Sequence, residues 1–171
     1  MRRLWDAATA KKAITVFLSV VFGLYGLFLI KVILFKNVYS RGALVEHVRR
    51  LDLGQIRMNL RAANYLPTKT IAGYLSSDLS RTIVFNNLIG NVALFIPFGV
   101  FVFLLISRSI RVGLFVGFGS SLLLELIQLL FSLGSFDIDD ILLNSIGTFI
   151  GVVIGIISIT GLKKLIRYLR F

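Results

Sequence analysis

The stretch Thr82–Ser107, TIVFNNLIGNVALFIPFGVFVFLLIS, decides the fold. It holds no charged residue and exceeds the about 20 apolar residues a helix needs to cross the roughly 30 Å hydrocarbon core of a bilayer. Lipid offers no partner to an open backbone amide, so a run of this kind is expected to be a helix. Pro97 falls in its middle, where it removes one backbone donor and is expected to kink the helix, freeing the carbonyl of Ala93. Asn86, Asn87 and Asn91 stand at its start, Asn87 and Asn91 one turn apart.

Three similar runs lie around it. Ala13–Ile30 is uncharged and its apolar character continues past Lys31 to Phe35; Val112–Phe131 carries only Glu125; Ile141–Leu162 carries none. The expected spans are therefore 13–35, 82–107, 112–131 and 141–162, with a long connection over 36–81. Hydrophobic residues make up 57% of the chain, against about 45–50% in soluble domains. With 171 residues the chain is read as a single domain, 1–171. The fold class is an all-α membrane protein: a bundle of four transmembrane helices with an interfacial helix in the first outer loop. The first run is too long for a signal-peptide core and no A-x-A site follows it, so it is expected to stay as the first span. The chain has no cysteine, which excludes disulfides and thiolate chemistry.

Charge gives an orientation. Arg2, Arg3, Lys11 and Lys12 precede the first span, Arg108 and Arg111 join the second to the third, and Lys163, Lys164, Arg167 and Arg170 follow the fourth. The segment Ser132–Asp140 has no Lys or Arg. The positive-inside rule places both termini in the cytoplasm. The basic residues of 36–81 oppose this, but long loops follow the rule poorly.

In that loop, Leu44, Val48 and Leu51 recur at helical spacing with Val45 alongside, while His47, Arg49 and Arg50 fall largely elsewhere. This predicts a short interfacial helix with its basic side toward headgroups, interrupted at Gly54. Asn64-Tyr65-Leu66-Pro67 is expected to be extended. The partner of this basic loop is membrane lipid or an anionic envelope component. His47 is read as an interfacial side chain rather than a metal ligand.

Polar residues inside spans mark packed or functional faces. Gly113, Gly117 and Ser121 lead to Glu125 in steps of four, with Gln128 one turn on. Asn144, Gly147, Gly151 and Gly155 line the fourth span, with Asp140 one turn before and Asp137 ahead of it. Small residues in such rows let helices approach closely, within one chain or between chains. With cytoplasmic termini, Asn87, Asn91, Glu125, Gln128, Asp140 and Asn144 are expected to converge in the outer leaflet at depths of roughly 5–14 Å, and Asp137 and Asp139 to rim the entrance. Such a cluster can glue helices together or form a pocket. A pocket of this chemistry can bind sugar hydroxyls, hold a hard cation such as Mg²⁺ or Ca²⁺ through Asp137 and Asp140, or do acid–base work. With no Cys and only His47, zinc is not expected. Asp137-Ile138-Asp139-Asp140 lacks the Gly and closing Glu of an EF-hand loop.

Asn87-x-x-x-Asn91-x-x-x-Phe95-x-Pro97-x-Gly99, Glu125-x-x-Gln128, and Asp137-x-Asp139-Asp140-x-x-x-Asn144-x-x-Gly147 together resemble the VanZ-like family of bacterial membrane proteins. Asn64-x-x-Pro67 is similar to the family's motif before the second span. Where many members carry an Arg ahead of the Asp run, this chain has Gly134 and Ser135. The resemblance implies a multi-pass protein of the bacterial cell membrane, associated with resistance to teicoplanin and related lipid-tailed glycopeptides.

Two functions follow as expectations. One is a non-enzymatic envelope protein whose outer-leaflet polar pocket (Asn87, Asn91, Glu125, Gln128, Asp137, Asp139, Asp140, Asn144) binds a lipid-tailed glycopeptide or a lipid-linked envelope component. The other is a membrane enzyme acting on a lipid-linked or glycosylated envelope substrate, with Glu125 as acid or base and Asp137 and Asp140 as metal ligands or a second carboxylate. No feature points to nucleic acid: the net charge of +11 flanks membrane spans, where phospholipid is the nearer anion.

Overall fold

A computed structural model of the chain describes residues 2–35, 52–76 and 81–168. These form α1 (Arg2–Leu34), α2 (Leu53–Ala62), α3 (Lys69–Ser76), α4 (Arg81–Phe101), α5 (Ile110–Leu130) and α6 (Ile138–Tyr168). Four stretches are long and apolar enough to cross a membrane: Ala8–Leu34, Asn87–Ile106, Ile110–Leu130 and Ile138–Leu162. They coincide with the four expected spans, and the chain is an all-helical, multi-pass membrane protein. The expected helix around Leu44–Leu51 and His47 lies outside the described residues.

The bundle is built outward from α4 and α6, its most extensively packed pair. Glycines decide how close the two lie. A Cβ on Gly147 would stand 2.2 Å from Val92 O, on Gly151 2.0 Å from Ile96 O, and on Gly99 2.2 Å from Thr148 O. On α5, Gly113 and Gly117 make the same allowance for Val152 and Thr148. The glycine rows therefore serve contacts within the chain: those of α5 receive α6, and those of α6 receive α4. Asn144 sits at the seam, turned to Ser121 on α5.

Pro97 lies inside α4, and the end of the helix widens into a π turn over Val102–Ile106, where Ser107 N–H donates to Val102 O at 3.0 Å. The side-chain donor near Pro97 is the Tyr25 hydroxyl, which reaches Leu94 O from α1, next to the carbonyl that Pro97 leaves without its helical donor.

α1 is the peripheral span. Its apolar side chains largely face outward, as Phe17 and Leu24 do, which suits a helix whose surroundings are lipid. Phe22 stacks on Phe101 and contacts Phe98, and Leu29, Ile33 and Leu34 join Phe95, Phe98 and Val102 in the core.

α2 and α3 lie in the first loop, at the end of the bundle where α4 begins and α5 ends. Gly54, expected to interrupt a helix, is the second residue of α2; the N-cap of α2 is Asp52, whose backbone is extended (φ −134°, ψ 172°) and whose side chain accepts Gln55 N–H. This is a short N-cap arrangement. Of the Asn64–Pro67 segment expected to be extended, only the start is strand-like: Asn64 forms an isolated bridge to Asp137, whereas the chain bends at Leu66 and turns at Pro67, with Lys69 N–H donating to Leu66 O at 3.3 Å.

Candidate functional site

The polar residues singled out in the sequence gather at that same end. The Asp run organises them, and each of its three carboxylates serves a different neighbour.

Asp137 caps α6: its Oδ1 accepts Asp139 N–H at 2.9 Å. The same carboxylate accepts Asn64 Nδ2 at 2.8 Å and Thr70 Oγ1 at 2.6 Å. Asn64 closes the contact through its backbone, donating to Phe136 O and accepting from Ile138 N–H. The Asp137 N–H donates to Glu125 Oε2 at 2.9 Å. Glu125 is 1% exposed, so this intramembrane carboxylate holds the turn between α5 and α6.

Asp139 does not rim an entrance; it is fully buried. Its Oδ2 accepts Thr70 and Ile71 N–H, at 2.8 and 3.2 Å, and its Oδ1 accepts Thr68 N–H. These are the open donors at the start of α3, where a carboxylate is favoured by both hydrogen bonding and the helix dipole. Thr68 takes φ 69°, a region disfavoured for a β-branched residue, and the Asp139 contact holds it there.

Asp140 turns toward α4, where Asn91 Nδ2 donates to its Oδ1 at 2.6 Å. One turn on, Asn144 Nδ2 donates to Ser121 Oγ at 2.8 Å, and Asn144 Oδ1 is buried with no hydrogen-bond partner among the described residues. Gln128 donates from Nε2 to Ile33 O at 2.9 Å, satisfying one of the last carbonyls of α1.

Sequence reasoning missed Asn59 and Thr70. Ser132 takes φ 54°, and Leu133 N–H returns to Gln128 O at 3.0 Å, a Schellman-type end to α5. Asn59 Nδ2 donates to Leu129 O and to Ser132 Oγ, pinning α2 to that end. A mid-helix Asn on a short segment was the available signal, since Asn is a poor helix former without a partner.

These contacts frame a cleft of about 290 Å³, lined by Thr70, Tyr74, Asn87, Gln128, Gly134, Ser135, Asp137 and Asp140. Of the eight residues expected in a pocket, Asn87, Gln128, Asp137 and Asp140 line it. Asn91 and Glu125 stand behind it as partners of Asp140 and Asp137, Asp139 braces its α3 wall, and Asn144 lies deeper, against Ser121. The lining offers hydroxyls, amides and two carboxylates, suited to hydrogen-bonding a polar head. Among the described residues, no three His, Cys, Asp or Glu side chains are grouped to hold a metal ion, and both oxygens of Asp137 already accept hydrogen bonds.

A family model described as VanZ/LLP1 matches residues 22–159, a stretch that includes all four motifs and the whole cleft. No curated protein and no solved structure matches the chain.

Proposed function

The chain belongs to the VanZ/LLP1 family, and we propose that it contributes to resistance against teicoplanin-type glycopeptides, or to cell-envelope function, by holding the polar part of a lipid-tailed or lipid-linked molecule in the cleft. In this reading the protein lies in a bacterial cell membrane with both termini in the cytoplasm and the cleft open to the outer leaflet. The observation that carries it is the cleft itself: a polar-lined recess of about 290 Å³ at one end of the bundle, to which the motif residues Asn87, Gln128, Asp137 and Asp140 contribute half of the lining. An amphiphile fits such a place because its head meets hydrogen-bonding groups while its tail lies along lipid-facing helices.

Susceptibility of a Gram-positive host expressing the protein tests this. The wild type is compared with Asp140→Asn and Glu125→Gln at matched membrane levels, against teicoplanin and vancomycin. Selective protection against teicoplanin is expected from the wild type. Asp140→Asn removes a charged acceptor and should weaken head-group binding about tenfold or more, the size of one charge-assisted hydrogen bond. Equal protection by all three chains would take the function away from the cleft.

The enzyme reading rests on Asp137 and Asp140 lining one recess, with Glu125 behind them. Its test is the envelope itself: lipid-linked and glycosylated intermediates that are unchanged on deletion, by mass spectrometry, count against it. A shared Mg²⁺ or Ca²⁺ at Asp137 and Asp140 would need further oxygen ligands. Head-group binding that ignores added chelator sets that cation aside.

A further inference from the structure

α2 and α3 carry their polarity inside out. On α2, Gln55 and Asn59 face the bundle, Asn59 bonding Leu129 O and Ser132 Oγ, while Leu53 and Met58 are 76% and 63% exposed. Leu66, before α3, and Leu75 on it are 65% and 71% exposed, whereas Thr70 on the opposite side reaches Asp137. A helix laid on a soluble protein turns its leucines inward; this one turns them outward, where water would penalise them. The outward side is also basic, with Arg57 and Arg61 exposed one turn apart. The segment is continuous with the lipid-facing surface, because α2 is fastened to the end of span α5, beside the exposed Leu130 and Phe131.

We infer that residues 52–76 form a clip embedded at the headgroup–acyl boundary, with Leu53, Met58, Leu66 and Leu75 in the upper acyl region and Arg57 and Arg61 on the headgroups of anionic phospholipid. Apolar side chains at such a boundary enter about 5–10 Å, and guanidinium groups on long stems reach back to phosphate. The inference does not depend on what the cleft binds.

The chain has no cysteine, so single reporters can be placed without background. Full-length Met58→Cys, Leu66→Cys and Leu75→Cys, each labelled with an environment-sensitive dye, are reconstituted in vesicles of phosphatidylcholine and phosphatidylglycerol. Quenching by a lipid nitroxide placed high on the acyl chain, with protection from aqueous iodide, is expected at all three. Iodide quenching as strong as that of the free dye adduct overturns the inference, because the face is then in water. Protection from both quenchers also overturns it, because the face is then covered by protein, such as a second copy. A doubly substituted Arg57→Gln, Arg61→Gln chain should retain about thirtyfold less phosphatidylglycerol in native mass spectrometry, about fivefold for each surface basic residue removed. Both positions are exposed and Gln keeps helix propensity, so folding is preserved; unchanged retention removes the anionic headgroup from the assignment.

Discussion

At the scale of single residues, the three carboxylates of the Asp run are distinguished by what would be left behind without them. Asp139→Ala strands three backbone N–H groups at the start of α3. Each buried donor left unpaired costs about 1–3 kcal/mol, although water entering the gap recovers part of that. A drop in the thermal midpoint of the purified protein in detergent is expected, larger than for Asp139→Asn, which keeps one acceptor oxygen. Asp140→Asn exchanges a charged acceptor for a neutral one at Asn91 and is expected to unfold nearly as the wild type does while altering the cleft. A midpoint shift for Asp140→Asn as large as that for Asp139→Ala would contradict this division between a bracing carboxylate and a lining one.

At the scale of elements, the glycine rows of α5 and α6, with Gly99 on α4, set the helix separations. Gly151→Ala would place a methyl group 2.0 Å from Ile96 O, and the relief of such a clash requires α6 to move off α4. Overpacking of this kind costs about 1–3 kcal/mol. On α5, a methyl group added at Gly119 would meet nothing within 4 Å, so Gly119→Ala is expected to be neutral or to gain about 0.5–1 kcal/mol. Thermal unfolding of the two variants in the same detergent separates them.

The spans and the rows of small residues are legible in the sequence because uninterrupted apolar length and four-residue spacing are local properties. The docking of α2 and α3 is not, and the reason lies in their partners. Asn59 finds its acceptors on Leu129 and Ser132, and α3 takes its cap from Asp139, all far along the chain, so the local cap at Asp52 marks the start of α2 but no local pattern shows where either helix docks. The polar residues on the spans could be grouped by depth, which placed Asn87, Gln128 and Asp140 near one another. Depth could not separate residues that line the cleft from those that brace it, because Asp137 and Asp139 differ only in which way each points.

At the scale of the whole molecule, four crossings put the two ends of the chain on one side. Asp6 and Lys164 are both exposed. In intact cells, Asp6→Cys and Lys164→Cys are expected to resist a membrane-impermeant maleimide until the membrane is opened, whereas Ser135→Cys, at the cleft, is expected to react at once. Labelling of both termini in intact cells would invert the protein and place the cleft on the cytoplasmic side.

The capping of α3 by Asp139 sets an order on assembly during synthesis. Thr68, Thr70 and Ile71 leave the ribosome long before Asp139, and Asn64 long before Asp137. Through the insertion of the second and third spans, the segment that will become the cleft's α3 wall has no carboxylate to dock on. It can settle only when the fourth span delivers the Asp run. A nascent chain ending at Phe131 should therefore insert its spans yet be cut by trypsin at Arg57, Arg61 and Lys69 faster than the complete chain. The last span to be made thus acts as the latch that finishes the first loop.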